Sequence, residues 1–298
     1  EELQPRCYHV DPDGYPRCYR FSQRFHAAFG QLTDARLTGG AQSIIVTDDH
    51  GVLGKLTLAS KQWITQTNLS SIPQPSPDAV PSDNAARPAI YPISLWDPRG
   101  DYTFSYIPEG DLRPDLTYAP NVYDGIIYRF DPHIKLPTEI AGPLRTVFWL
   151  DIGLLVSRTS GEAYLYPDPI NAPEQRIRLE GHFGSISQAQ PFGSRLLATA
   201  DEQGNVRIYT LQDSATLQAT SELTPTAQAP GATSSILSMA WDSTGEQLIV
   251  ARSVLNIQTF VFQQTVSLWQ VPERRIEWSR AITNTSINVA FSPDDQQI

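Results

Sequence analysis

The chain has 298 residues, of which 40% are hydrophobic and 18% charged, and its formal net charge is −10. This length suffices for a large buried core, and the negative charge argues against nucleic acid or an anionic membrane as partner, since both reward clustered Lys and Arg. No apolar run reaches the ~18 residues of a membrane-spanning helix, and no signal peptide is recognisable. Because the chain opens with Glu1, we expect a processed or excised product; its compartment is not assigned, with the cytoplasm slightly favoured.

The N-terminal stretch RCYHVDPDGYPRCYRF, residues 6–21, predicts two strands joined by a turn. Asp11-Pro12-Asp13-Gly14 lies between these strands and is a good turn sequence. Cys7 and Cys18 are the only cysteines, and a hairpin here would place them opposite each other. Two interpretations stay open: a cross-strand disulfide in an oxidising compartment, or two buried free thiols in a reducing one.

A short signature recurs along the chain: a turn residue, usually followed by Gly, and a large apolar or aromatic residue six positions after the turn residue. Its copies are Asp13-Gly14 to Tyr19, His50-Gly51 to Leu56, Asp124-Gly125 to Phe130, Ser160-Gly161 to Tyr166, Gln203-Gly204 to Tyr209 and the weaker Gln263-Gln264 to Trp269. A hairpin turn needs residues that tolerate positive φ. The large residue at the far end of the next strand can then pack between neighbouring sheets.

Runs typical of strands flank these turns, such as SRLLATAD before Gln203-Gly204 and NVRIYTL after it. A further strand lies upstream of several pairs and a more polar one downstream, so each unit has four strands, as in a propeller blade. Five complete units fit residues 32–282. We expect six or seven blades in all, the last closed by the N-terminal strands together with residues 286–298, unless the chain is a fragment of a longer protein.

The residues around Gly181-His182 resemble the WD-repeat β-propeller family, and AFSPDD at residues 290–295 is similar to the end of that family's first strand. The resemblance implies a hydrogen-bonded set of His, Ser or Thr, turn Asp and Trp in each blade. His182, Thr199 and Tyr209 match three of these positions, while Gln203 stands where the turn acid is expected. Asp13 and Asp124 keep the turn acid elsewhere, and Trp269 keeps the aromatic. These residues are structural in the family.

Long connections interrupt the units at 70–88, 107–123, 221–233 and 252–262, and the first is a Pro-rich inserted loop. Because strands alternate in direction, all four should emerge on one face, which we predict to be the recognition surface. The predicted partner-binding residues are Leu112, Arg113, Leu116, Tyr118, Tyr123, Leu255 and Phe260. Alternatively these side chains cover the channel mouth or neighbouring blades, and residues 252–262 merely lengthen a hairpin.

Other candidates for chemistry are dispersed. The five histidines show no metal-ligand spacing, and the carboxylates of 97–115 are typical of solvated loop acids. No phosphate-binding, dinucleotide-binding, nucleophile-elbow or zinc-protease motif is present. We therefore predict no catalytic residue, no metal and no cofactor.

The sequence thus favours a single β-propeller domain over residues 1–298. We expect it to be a non-enzymatic scaffold that presents its loop-rich face to a partner protein, or to another domain of a larger chain. The alternative is a propeller that binds a small ligand or hydrolyses a substrate at the central channel mouth. A third reading is a structural subunit of a large assembly. Fold alone does not decide among these functions.

Overall fold

The computed structural model describes residues 6–10, 16–19, 32–38, 43–48, 52–60, 62–67, 93–108, 125–129, 134–140, 142–212, 215–223, 232–256, 261–282, 287–292 and 294–298. The elements of these residues are β-strands, and five sheets account for most of them. The predicted all-β class is therefore confirmed.

The strands follow the predicted four-per-unit order. Sheet 1 contains β3 (Leu32–Thr38), β4 (Ser43–Asp48), β5 (Val52–Thr57) and β6 (Gln62–Thr67), and sheet 2 contains β7 (Ile93–Trp96), β8 (Tyr102–Tyr106), β9 (Gly125–Arg129) and β10 (Ile134–Ile140). Sheet 3 contains β11 (Thr146–Leu150), β12 (Gly153–Ser157), β13 (Ala163–Tyr166), β14 (Ile177–Leu179) and, as a fifth strand, β18 (Thr216–Leu217). Sheet 4 contains β15 (Ile186–Phe192), β16 (Leu196–Asp201), β17 (Val206–Thr210) and β19 (Ser221–Leu223). Sheet 5 contains β20 (Ala232–Trp241), β21 (Gln247–Asn256), β22 (Val261–Gln270) and β23 (Arg275–Ile282).

The recurring signature marks real hairpins in the middle of the chain. Gly161 and Gly204 lie in turns with φ of 87° and 79°, which a residue without Cβ adopts at little cost. The large residues that follow, Tyr166 and Tyr209, are buried on the third strands of sheets 3 and 4. The copy assigned to Gln263-Gln264 is wrong, because both residues pair within β22 and the turn precedes Val261.

Consecutive sheets lie side by side along their first strands. β7 contacts β11, β11 contacts β15, and β15 contacts β20. The Thr146 hydroxyl at the start of β11 donates to the carbonyl of Ile186 at the start of β15, at 2.5 Å. The next pair of sheets is joined near the end of its first strands, where the Trp241 indole of β20 donates to the carbonyl of Gln190 on β15, at 3.0 Å. The first strands are therefore parallel, as blades in series require.

The core is divided into clusters that lie between neighbouring sheets. Ile45, Leu53 and Trp96 join sheets 1 and 2. Further clusters join sheets 2 and 3, sheets 3 and 4, and sheets 4 and 5. The opposite side of sheet 5 carries another cluster, against which residues 287–291 pack. Each sheet is thus buried by its neighbours, which explains why inner strands such as β12 are buried throughout.

The alternation of strands defines two faces. We call the end that carries the β14–β15, β16–β17 and β21–β22 connections the upper face, and the end that carries the β7–β8, β11–β12 and β13–β14 connections the lower face. The strand ends joined by the long connections after β6, β8, β19 and β21 all lie at the upper face. The described strands thus follow the predicted placement of the insertions.

The structure changes three details of the predicted units. Residues 221–223, assigned to a link, form β19, the outer strand of sheet 4. Residues 287–291, which belong to the segment predicted to complete the last blade, pack beside sheet 5 without strand pairing. Among the described strands, the N-terminal β1 (Arg6–Val10) and β2 (Pro16–Tyr19) pair only with each other. The ring closure and the count of six or seven blades remain predictions.

The N-terminal hairpin has the register that the sequence predicted. Cys7 and Cys18 are partners across the antiparallel pair. The side chains of this hairpin and its turn residue Asp13 lie outside the described part of the chain, as does the Pro-rich loop at 70–88. The disulfide therefore stays a prediction.

Candidate functional site

A buried polar network lies at the upper face of sheet 4, where the β14–β15 connection meets the β16–β17 turn. His182 Nε2 lies 2.7 Å from Thr199 Oγ1, and His182 Nδ1 lies 3.4 Å from Asp201 Oδ2. Both the His182 and the Asp201 side chains are fully buried. With Asp201 ionised, Nδ1–H donates to the carboxylate, and Nε2 shares a hydrogen bond with the Thr199 hydroxyl. His182 therefore attaches the β14–β15 connection to the second strand of sheet 4.

Asp201 supplies the turn acid of this unit. Its Oδ1 accepts hydrogen bonds from the backbone N–H groups of Gln203 and Asn205, at 3.1 and 2.9 Å. Burial raises the pKa of Asp201, but hydrogen bonds from His182 and Asn205 outweigh it and lower the pKa to about 2. The turn acid was expected at Gln203, six residues before Tyr209, whereas Asp201 lies eight residues before Tyr209. The alternation of LLATAD, which buries Asp201 beside Thr199, was the available signal.

Arg207 links the network to the surface. Its Nη1 donates to Asp201 Oδ2 at 3.3 Å, and its Nη2 donates to Glu222 Oε1 at 3.2 Å. The guanidinium carbon lies 5.5 Å from the centre of the Phe183 ring, within the range of a cation–π contact. Arg207 is 3% exposed whereas Phe183 is 71% exposed. A fixed cation therefore supports an aromatic side chain that projects into solvent.

Arg252 is a second buried cation, located between sheets 4 and 5. It is 6% exposed, and in the described part of the chain its guanidinium makes one hydrogen bond, from Nη1 to Ser234 Oγ at 3.2 Å. Burial lowers its pKa to about 10, partly opposed by the charge of Asp201. Unlike Arg207, it lacks a carboxylate at ion-pair distance among the described residues.

The two predicted aromatic positions are buried on third strands. The Tyr209 hydroxyl donates to the backbone carbonyl of Glu180 at 2.8 Å, and burial raises its pKa well above the ordinary value. Trp269 lies on β22 in the cluster between sheets 4 and 5. Asp124, the other predicted turn acid, lies outside the described residues.

Most of the predicted partner-binding residues, namely Leu112, Arg113, Leu116, Tyr118, Tyr123 and Phe260, lie outside the described ranges. Leu255 is half-buried and pairs with Phe262 across an extended β21–β22 hairpin, so residues 252–256 lengthen the strand pair, as the alternative interpretation held. The end of this hairpin exposes Val261 and Phe262, at 59% and 66%. Phe262 belongs to the segment for which apolar partner-binding anchors were predicted, and that role stays a prediction.

No protein-family model matches the chain, and no curated protein matches it. Solved structures do match: the crystal structure of the C-terminal WD40 domain of Sif2 superposes with a TM-score of 0.55 over 92% of this chain. The fold is that of a WD-repeat β-propeller. Sequence identity to Sif2 is 15%, and the match covers 65% of the Sif2 chain, so the likeness shows the fold alone.

The residues of the buried network occur along sheet 4 in the order expected for a WD repeat. His182 precedes the first strand of sheet 4, Thr199 lies on its second strand and Tyr209 on its third, in the order that the resemblance implied.

The described residues contain no group of three or more His, Cys, Asp or Glu placed to hold a metal ion. They also contain no helix long and apolar enough to cross a membrane.

Proposed function

We propose that this protein is a non-enzymatic interaction platform that binds a partner protein through its upper face, at sheets 4 and 5. The observation that carries the proposal is the exposure of Phe183 and Phe262, at 71% and 66%. Phe183 lies on the β14–β15 connection, and Phe262 lies at the upper-face end of β22 in the adjacent sheet. Solvent-exposed aromatic side chains on a rigid scaffold are typical anchors of protein interfaces.

The contacts that hold Phe183 in place support its role as a partner-binding anchor. Its ring stacks on Arg207, which is held by Asp201 and Glu222. Gly181, two residues earlier, has φ of 109°, and a Cβ there would lie 2.9 Å from Arg207 Nε. A preorganised aromatic loses little entropy when it binds. The long β8–β9 connection, with Leu112, Leu116 and Tyr118, joins strand ends at the same face and is part of the proposed surface.

The polar residues of the network support a structural role for it. The Asp201 carboxylate accepts from Gln203, Asn205, His182 and Arg207. A carboxylate committed to so many donors is a poor general base, since protonation would break several hydrogen bonds at once. Partner binding therefore fits this face better than hydrolysis does.

The test compares proteins captured from lysate of the source cells by the wild type, by F183A/F262A and by L58A. Leu58 is exposed after β5 at the lower face, so L58A is a matched control. A partner identified with the wild type and then purified should bind F183A/F262A at least about tenfold more weakly, a loss of about 1.4 kcal/mol. It should bind L58A as it binds the wild type.

A second variant replaces residues 107–123 by a short Gly-Ser linker and tests the remaining predicted residues. Melting curves should show that each variant is folded. Equal affinity of the purified partner for the wild type, F183A/F262A and the linker variant would contradict the proposed surface.

A further inference from the structure

A cleft of about 780 Å³ opens at the lower face between sheets 2 and 3. It is formed by the β7–β8 turn, the β11–β12 turn and the start of the β13–β14 connection. These elements lie at the opposite end of the strands from Phe183 and Phe262. The cleft is therefore separate from the surface of the proposed function, and its volume is in the range of ligand sites, roughly 300–1,000 Å³.

Part of the cleft lining is aromatic and apolar. Trp149 and Tyr102 line it together with Leu150, Pro167 and Ile170. Trp149 is fixed from behind by an edge-to-face contact with buried Phe104, with ring centres 6.5 Å apart and planes at 86°. This contact restricts the orientation of the indole. Aromatic faces of this kind attract cations and the alkyl stems of long basic side chains.

The rest of the lining is strongly acidic. Asp97, Asp101, Asp151 and Asp168 line the cleft, against the single cation Arg99. Hydrogen bonds from the backbone and side chain of Asn171 hold the pKa of Asp168 below its ordinary value, so this carboxylate is ionised. Asp97 is 5% exposed and accepts from the backbone N–H groups of Asp101 and Tyr102, at 2.7 and 2.8 Å.

Two of these carboxylates are directed to solvent. Asp101 Oδ1 lies 3.4 Å from Lys55 Nζ, but the Asp101 side chain is 59% exposed. It can therefore pair with a second cation. Asp151 is exposed, and its side chain forms neither a hydrogen bond nor an ion pair within the described part of the chain. Because these carboxylates come from three separate turns and form no metal-binding group among the described residues, an elongated cation fits them better than a metal ion.

We propose that this cleft binds a basic, extended segment of a partner protein. An arginine or lysine side chain lies against Trp149 and Tyr102, and its charged group pairs with Asp151 or Asp101. A basic segment is expected because its charge complements the acidic lining and because its side chains can lie against Trp149 and Tyr102. The upper face is not involved, so this proposal stands or falls independently of the proposed function.

The test measures fluorescence anisotropy of a fluorescein-labelled peptide, acetyl-Ala-Arg-Ala-Arg-Ala-amide, with the purified wild type. The matched control peptide has citrulline in place of both arginines and is neutral. The arginine peptide should bind saturably and the citrulline peptide should not. D151N should weaken binding at least about threefold and D101N/D151N about tenfold, the range of partly exposed charge pairs.

E273Q is the matched control for charge, because Glu273 is an exposed acid of the β22–β23 turn at the same face. It removes the same charge as D151N and should change the affinity by less than about twofold. In NMR spectra, the Trp149 indole N–H, assigned by its loss in W149F, should shift on titration with the arginine peptide.

Three results would overturn the proposal. The first is the absence of saturable binding of the arginine peptide. The second is equal weakening by D151N and E273Q, which would mean non-specific attraction to an acidic protein. The third is a shift of the Trp149 signal by spermidine at lower concentration than by the peptide, which would make the cleft a polyamine site instead.

Discussion

The indole Nε1 of Trp241 donates a 3.0 Å hydrogen bond to the backbone carbonyl of Gln190, joining the first strands of sheets 4 and 5. A related hydrogen bond joins sheets 1 and 2, where Trp96 Nε1 donates to the carbonyl of Val46 on the second strand, β4, at 3.2 Å. Each tryptophan is the last residue of a first strand. Two of the sheet interfaces are therefore joined by an indole hydrogen bond as well as by hydrophobic packing.

Trp241→Phe should lower the free energy of unfolding by about 1–3 kcal/mol, because it removes this hydrogen bond and part of a buried ring. Trp278→Phe is the matched control, since Trp278 is only partly buried on the outer strand β23. It should cost less than about 1 kcal/mol. Urea denaturation followed by circular dichroism measures both. Equal losses would contradict a special role for the Trp241 bond.

The sequence was sufficient for those features that depend on local periodicity. The spacing from Gln203-Gly204 to Tyr209 predicted a hairpin and a buried aromatic, and both are present. The assignment failed at Gln263-Gln264, because β21 and β22 are longer than the strands of the other sheets and the turn lies earlier. A fixed spacing cannot anticipate a blade of different length.

The sites were less predictable, because their residues come from separate segments. Phe183 stacks on Arg207, and Trp149 shares a cleft with Asp97 and Asp168. No local pattern joins these positions; only the packing of neighbouring sheets brings them together. Asp97 and Asp101 were noticed as loop acids, but their role in a cleft depends on the β11–β12 turn of the next sheet.

The two buried arginines should respond in opposite ways to the same substitution. Arg207→Met should cost about 3 kcal/mol, because it leaves the buried Asp201 with one cation fewer. Arg252→Met should leave the free energy of unfolding within about 1 kcal/mol of the wild type, or raise it, since a buried charge with a single hydrogen bond is removed. Urea denaturation at pH 7 measures both. A loss of 3 kcal/mol or more in Arg252→Met would show that its charge is needed.

Gly204 should tolerate a methyl group poorly. Its φ is 79°, and an added Cβ would lie 2.5 Å from Ser234 Oγ on the next sheet. Gly193 has φ of 52° and nothing within 4 Å of an added Cβ, so Gly193→Ala isolates the backbone cost of about 1–2 kcal/mol. Gly204→Ala should cost at least about 1 kcal/mol more. Matching losses of unfolding free energy would mean that the turn of sheet 4 can move away from sheet 5.

The stability contributed by Asp201 should disappear in acid. Its pKa is about 2 in the folded protein against an ordinary 3.8, and a lowered pKa means that folding favours the ionised form. The contribution is therefore complete above about pH 4 and is lost as the pH falls towards 2; a shift of this size corresponds to about 2 kcal/mol.

Asp201→Asn tests this because the amide does not titrate. The difference in unfolding free energy between wild type and Asp201→Asn should be largest at pH 5 and should shrink by about 1–2 kcal/mol at pH 2.5. Thr199→Val is the companion variant: it removes the hydroxyl that His182 Nε2 contacts at 2.7 Å while leaving the Asp201 carboxylate in place. The loss of unfolding free energy in Thr199→Val should therefore be nearly the same at pH 5 and at pH 2.5. If the Asp201→Asn deficit were equally constant, the carboxylate would not be the group whose ionisation secures the upper face of sheet 4.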